Sequence, residues 1–196
     1  MSHYFHTPDD GGRRRTVHTR IWDVDYEFVT APGVFSADGL DLGTGVLLRE
    51  TWPPDEATRL LDLGCGWGPI AVALARECPQ AVVDAVDVNE LALALTADNA
   101  RRAGVADRVR PLLPNKVDPS VRYDEIWSNP PIRIGKQALH ELLLTWLPRL
   151  APGGVARLVV GRNLGADSLQ KWLTEQGYAC TRRGAAKGFR VFEITA

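Results

Sequence analysis

The chain has 196 residues, 45% of them hydrophobic and 24% charged, which is enough for one domain with a sizeable core and little more. Its net charge of −1 and pI of about 6.4 exclude a globally basic protein that holds polyanions by overall charge. Three cysteines, Cys65, Cys78 and Cys180, lie far apart with no Cys-x-x-Cys or Cys/His ligand spacing, which points to a reducing compartment and away from a structural zinc site.

The opening Met-Ser-His-Tyr-Phe-His lacks the apolar region of a secretion signal, and no run approaches the length of a membrane span. A cytoplasmic protein without membrane or metal partners is expected. Residues 1–20 are polar and Arg-rich and read as a mobile basic segment, which leaves 21–196 as a single domain. Residues 21–30 alternate apolar and polar with period two, the pattern of one antiparallel strand. A Gly-rich stretch follows from Pro32 to Gly45, then a short helix over 45–50 and the break Trp52-Pro53-Pro54. From residue 59 strands and helices alternate. Strands are predicted at 60–63, 81–86, 109–113, 125–127 and 155–160. Helices are predicted at 69–78, at 90–103 before Gly104, and at 136–150, closed by Ala151-Pro152-Gly153-Gly154. A last helix runs from a cap at Asp167 to Gln176 and stops at Gly177, and segments 178–182 and 189–195 form a terminal hairpin. This alternation predicts an α/β fold: a doubly wound, seven-stranded, mostly parallel sheet with right-handed crossovers, a C-terminal antiparallel hairpin and a short N-terminal β extension.

Basic residues are unevenly placed. Arg13, Arg14, Arg15 and Arg20 cluster early, Arg182, Arg183, Lys187 and Arg190 late, and Arg133 and Lys136 follow residues 128–131. Such runs are ordinarily solvated faces, with nucleic-acid contact as the competing reading. Trp52, Trp146 and Trp172 are read as packing residues.

Residues 128–131 read Ser-Asn-Pro-Pro at the end of an apolar segment. Each proline fixes its own φ and pushes the residue before it out of the α region. Asn129 is therefore held in a stiff, extended turn at a strand end. Its amide oxygen and a neighbouring carbonyl can offer two fixed acceptors to a planar –NH2 group, which leaves the nitrogen lone pair free to attack. The plain alternative is a proline-stiffened loop in which the Asn only caps the turn.

Upstream, Leu60-Leu61-Asp62-Leu63-Gly64-Cys65-Gly66-Trp67-Gly68-Pro69-Ile70 ends a strand and opens a helix, the place where open α/β sheets bind nucleotides. The spacing is Gly-x-Gly-x-Gly rather than the dinucleotide Gly-x-Gly-x-x-Gly. Asp62 would hinder a pyrophosphate but suits a cationic amino acid, directly or through water, which favours S-adenosylmethionine over NAD. Asp87, at the end of the next strand, is placed to bind both ribose hydroxyls. The plain alternatives are a helix cap for Asp62 and a turn residue for Asp87.

With both motifs in place the chain resembles a class I S-adenosylmethionine-dependent methyltransferase. More narrowly, it is similar to the small-domain methyltransferase family that includes the 16S ribosomal RNA guanine-N2 methyltransferases and their single-domain archaeal relatives. The matching stretches are His3-Tyr4-Phe5, Pro32 to Ser36, Leu40 to Thr44, Leu61 to Ile70, Ser128 to Lys136, Gly165 to Leu169 and Lys187 to Val191. The resemblance implies S-adenosylmethionine as cofactor, S-adenosylhomocysteine as product, and transfer to an exocyclic amino group, foremost guanine N2 in ribosomal RNA. It further implies that Asp62, Gly64, Cys65, Gly66 and Gly68 hold the methionine end. Asp87 would bind ribose, with Val88 and Asn89 beside the adenosine. Asn129, Pro130 and Pro131 would form the catalytic turn, and Phe35 and Ser36 would cover the cofactor near the acceptor. Ile132, Arg133, Lys136 and Phe35 would meet the substrate, the two basic groups at phosphates.

Two departures stand out. Leu113 occupies the strand end where such enzymes commonly carry an Asp for the adenine amino group, so adenine recognition falls to Asn115, to backbone groups or to nothing specific. The bacterial ribosomal enzymes also often carry a duplicated N-terminal domain, for which this chain has no room. Three competing readings follow: a small-molecule N-methyltransferase, a protein methyltransferase acting on a glutamine amide, and a catalytically silent S-adenosylmethionine-binding scaffold.

Overall fold

The computed structural model describes residues 14–131 and 135–196. The His3-Tyr4-Phe5 match, the mobile reading of residues 1–13 and the substrate roles given to Ile132 and Arg133 lie outside the described residues.

The chain opens with two antiparallel strands, β1 (Arg15–Ile21) and β2 (Val24–Thr30). Residues 15–20 therefore belong to a strand rather than to a mobile segment. The predicted single strand over 21–30 is also corrected, because the chain reverses at Trp22 and Asp23, both with positive φ (46° and 65°). Ile21 pairs with Val24 across them, which makes a two-residue hairpin turn of the kind usually built from Asn-Gly. A tryptophan takes this backbone because its ring is anchored. The Trp22 Nε1–H donates to the Thr51 carbonyl at 2.8 Å, and the ring meets Trp127 edge-on at 5.8 Å.

Then come α1 (Leu42–Glu50), β3 (Arg59–Leu63), α2 (Pro69–Glu77), β4 (Val82–Val86), α3 (Glu90–Arg102), β5 (Val109–Leu112), β6 (Tyr123–Ser128), α4 (Lys136–Trp146), β7 (Leu150–Gly161), α5 (Ala166–Glu175), β8 (Ala179–Ala186) and β9 (Phe189–Thr195). The main sheet has seven strands in the order β5-β4-β3-β6-β7-β9-β8. Strands β3 to β7 pair in parallel, and β9 runs antiparallel between β7 and β8. The fold class, the mostly parallel sheet and the C-terminal hairpin are as predicted. The strand order reverses between β3 and β6, and the crevice at the carboxyl ends of those strands is the expected ligand position.

Helices α2, α3 and α1 pack with the N-terminal hairpin on one face, around Phe28, Leu47, Trp67, Leu74 and Leu95. The other face is closed by α4 and α5 over Tyr123, Ile126, Leu143, Trp146, Leu173 and Phe192. Several boundaries differ from prediction. Helix α4 stops at Trp146 and a short 3-10 turn covers 147–149. Leu150 already pairs with Tyr123, so Ala151-Pro152-Gly153-Gly154 sit in an irregular start of β7. Asp167 lies in the first turn of α5, whose cap is Gly165 at φ 94°. Helix α1 begins three residues early because Asp41 caps it, accepting from Gly43 N and Thr44 N.

All three cysteines are free. Among the described residues no helix is long and apolar enough to cross a membrane. No group of three or more His, Cys, Asp or Glu side chains among them could hold a metal ion.

Candidate active site

The glycine loop leaves β3 at Gly64 and folds over the end of β4, where Gly64 N and Cys65 N both donate to the Val86 carbonyl (2.8 and 3.0 Å). Gly68 has to be glycine. Its φ is 89°, and a Cβ there would stand 2.8 Å from Thr96 Oγ1. That Thr96 hydroxyl donates to the Gly66 carbonyl at 3.0 Å, so α3 fixes the loop from behind. Asp87 fixes it from the side, accepting from Gly66 N through Oδ2 and from Asn89 N through Oδ1, each at 2.9 Å. Gly64 is exposed, and Asp87 is half-buried.

Asp62 lies on β3 beneath this loop and is fully buried. Gly68, the N-cap of α2, has no side chain to satisfy the first turn. Asp62 Oδ2 does so from the strand, accepting from Ala71 N at 2.9 Å. Its Oδ1 is buried with no hydrogen-bond partner among the described residues. Burial pushes the carboxyl up to about 8; the Ala71 N–H opposes this, and the Asp87 charge adds to it. The plain capping and turn roles of Asp62 and Asp87 are thus both met, and Asp62 retains an unused acceptor. Burial, then the charges of Asp62 and Asp87, also push the Cys65 thiol up, which makes it no nucleophile.

The Asn-Pro-Pro turn stands opposite. The Ser128 hydroxyl donates to the Leu63 carbonyl at 2.6 Å, pinning the end of β6 to the end of β3. Asn129 is half-buried, Pro130 buried and Pro131 exposed. Pro131 Cδ stands 3.9 Å from where a Cβ on Gly64 would be, so the turn closes against the glycine loop. The Asn129 Nδ2 donates to Asp41 Oδ2 at 2.7 Å and to Thr44 Oγ1 at 3.0 Å.

Segment 33–41 crosses over the loop. The Trp67 Nε1–H donates to the Ser36 carbonyl at 3.2 Å, and Asn89 Nδ2 donates to the Gly33 carbonyl at 2.9 Å. Ser36 has φ 56° and closes a tight turn by donating to the Gly39 carbonyl at 2.6 Å. Phe35, next to this bend, is 60% exposed. One cleft brings Phe35, Ser36, Gly64, Cys65, Gly66 and Asn129 together with Asp41, Thr44 and Trp67, three residues given no role from sequence. The Asp-x-Gly-Thr start of α1 is a readable helix cap, and it was the available signal for Asp41.

Other candidates lie at the same carboxyl edge but do not line this cleft. Val88 is exposed after β4, Asn115 is exposed on the turn after β5, and Lys136 is exposed at the start of α4. Trp127 is buried core, donating to Glu125 Oε2 at 2.7 Å with Arg157 over its ring. Trp52 is 68% exposed, contrary to its packing assignment, whereas Trp146 is buried and Trp172 stacks on His140. The described members of the early Arg cluster form surface ion pairs: Arg14 with Asp98, Arg15 with Asp38 and Arg20 with Asp23.

The methyltransferase small domain family model matches residues 25–193. The Bacillus subtilis protein YbxB, itself uncharacterized, is 30% identical over 175 residues, covering 88% of this chain and 87% of that protein. Ribosomal RNA small subunit methyltransferase C of Hahella chejuensis is 39% identical over 148 residues, or 70% of this chain, but the match spans only 41% of that longer enzyme. A Thermus thermophilus 16S rRNA N2 G1207 methyltransferase solved with AdoMet and guanosine aligns over 95% of this chain and 51% of its own, with a TM-score of 0.77 at 24% identity.

Proposed function

We propose that this chain, which belongs to the methyltransferase small domain family, transfers a methyl group from S-adenosylmethionine to the exocyclic amino group of a base in RNA, foremost guanine N2 in ribosomal RNA. The observation that carries the reading is Asn129, held at the carboxyl end of β6 in one cleft with the glycine loop. Support for the acceptor comes from the longer relative in Hahella chejuensis, which is named for ribosomal RNA methylation.

The residues present fit the cofactor. Asp62 Oδ1 is an orphaned buried acceptor under the loop, and a cationic amino acid group is the natural partner for it. A Cβ at Gly66 would meet nothing within 4 Å, so a ligand can lie along that backbone. Asp87 would take the ribose hydroxyls while still accepting from the loop. The cofactor supplies a methyl group already activated on a sulfonium.

The protein's task is then positional. Holding the acceptor nitrogen in line contributes roughly 7–11 kcal/mol. Asn129 Oδ1 accepts from the amino group as its nitrogen becomes positive, an electrostatic contribution of about 3 kcal/mol by analogy with oxyanion-hole donors. The base must leave its stack to enter, and the exposed ring of Phe35 offers a surface to receive it.

The test is transfer of labelled methyl groups to 30S subunits, free ribosomal RNA and a small-molecule extract in parallel, with nucleosides identified by mass spectrometry. Label on guanine N2 is the expected result. Label only in the extract would move the protein to small-molecule methylation.

A further inference from the structure

The start of α1 reaches across the cleft to Asn129, and this contact carries an inference that rests on the reading above. Asn129 Nδ2 is met by Asp41 Oδ2 at 2.7 Å and Thr44 Oγ1 at 3.0 Å. The same Asp41 oxygen accepts from Gly43 N at 2.7 Å and Thr44 N at 3.1 Å. A carboxylate offers only acceptors. The amide group facing it must therefore present its NH2, which fixes the flip state of Asn129.

We propose that Asp41, assisted by Thr44, is the positioning residue that fixes the Asn129 amide with Nδ2 turned inward, leaving Oδ1 as the acceptor for the substrate amine. Without the carboxylate, a terminal amide torsion is broad and nearly two-fold. The amide would then turn its NH2 on the incoming amine, a donor facing a donor, and Oδ1 would leave the place from which it holds the amine in line.

Two features show that the anchor is built in. Asp41 is locked by the first turn of α1, so its oxygen cannot follow Asn129 if the amide rotates. Gly43 keeps the space clear: a Cβ there would stand 2.9 Å from Phe189 Cε1 and 3.0 Å from Asp41 Oδ2. Any side chain at 43 would push the carboxylate off its three donors.

The test uses Asp41→Ser, which keeps a good helix cap with too short a reach, and Asp41→Asn, which keeps an oxygen at the right length. Methyl transfer from S-adenosylmethionine to 30S subunits is followed by kcat and KM, with cofactor affinity by calorimetry. Asp41→Ser should lower kcat by about 10²-fold, the scale of a misplaced reacting group, with cofactor affinity within about twofold. Asp41→Asn should recover most of that loss, and Thr44→Val should cost less than Asp41→Ser. The second readout needs no activity. The Asn129 side-chain NH2 resonance, identified by its absence in Asn129→Asp, should be protected from solvent exchange in the wild type and in Asp41→Asn but not in Asp41→Ser.

Unchanged kcat in Asp41→Ser, or an unprotected wild-type amide, would overturn the positioning role. So would equal losses of kcat, cofactor affinity and melting temperature, which would make Asp41 a helix cap and nothing more. A wild-type protein that protects the amide yet methylates no RNA would instead overturn the proposed function.

Discussion

At the residue scale two groups make the sharpest claims. In the proposed function Asn129 meets the acceptor and not the cofactor, so Asn129→Ala should lower kcat by at least about 10²-fold while calorimetry finds S-adenosylmethionine affinity largely intact. A parallel loss of both would make the turn structural. Asp62 predicts a pH dependence. In the empty protein its carboxyl sits at about 8, so near neutrality it is mostly protonated. If Asp62 holds the cationic amino acid group as proposed, it does so in the ionised form, and binding would expel that proton. Between about pH 6 and pH 7.5, below the range in which a free α-amino group loses its own proton, cofactor affinity should rise with pH. Calorimetry in two buffers of different ionisation enthalpy should register the released proton, and Asp62→Asn should abolish both effects. The sign for stability is opposite. The folded carboxyl is raised above its unfolded value of 3.8, so the empty fold holds the extra proton and this group's contribution falls as pH climbs from about 4 toward 8.

At the element scale the N-terminal hairpin is part of the site's foundation. Asn99 on α3 is buried. It accepts from Val29 N at 2.7 Å, and donates to the Val29 carbonyl at 2.8 Å and the Trp67 carbonyl at 2.7 Å. One amide thus ties β2 to the glycine loop through α3. Asn99→Ala would leave three buried backbone groups without partners and should cost about 3 kcal/mol, read as a lower melting temperature. Hydrogen exchange should quicken at both β2 and residues 66–68. None of this was legible in the sequence, because Asn99 sits inside a helical pattern with nothing to mark its partners 70 and 32 residues away. Elements bounded by glycine or proline were legible: α2 from Pro69 and α3 before Gly104. The hairpin turn at Trp22-Asp23 was not, since tertiary anchoring of an indole replaces the usual Asn-Gly chemistry. Ala151-Pro152-Gly153-Gly154 misled in the other direction. Its turn signal is real, but Leu150 is already paired with Tyr123, and the irregularity is absorbed inside β7. The site followed the same division. Motif residues on the glycine loop and Asn129 could be read from spacing, whereas Asp41 and Thr44 reach Asn129 only across 88 and 85 residues of chain.

At the scale of the whole molecule, charge near zero conceals an uneven edge. Arg162 follows β7, and its N–H meets the Gly188 carbonyl at 2.7 Å. Lys187 stands in the β8–β9 turn beside it, and Lys136 opens α4 after the Asn-Pro-Pro turn. All three are exposed at the carboxyl edge of the sheet that carries Asn129. Arg190 belongs to the same edge but is paired with Asp167. RNA affinity should therefore fall with salt, and Lys187→Ala should weaken binding to all sequences alike. It should also flatten the log–log salt slope by about 0.7 for a single-stranded target. A salt-independent affinity would return these residues to ordinary solvated surface.

The unanswered oxygen of Asp62 has a consequence for the protein's lifetime. A fold that shuts a carboxyl oxygen in its interior with no partner among the described residues bears a cost that the proposed ligand would relieve, and ligand occupancy would add stability as the logarithm of its concentration over the dissociation constant. Scarcity of the methyl donor would thus enlarge the unfolded fraction open to proteolysis. Abundance of the enzyme in the cell would then follow the supply of its own methyl donor, with no regulator involved.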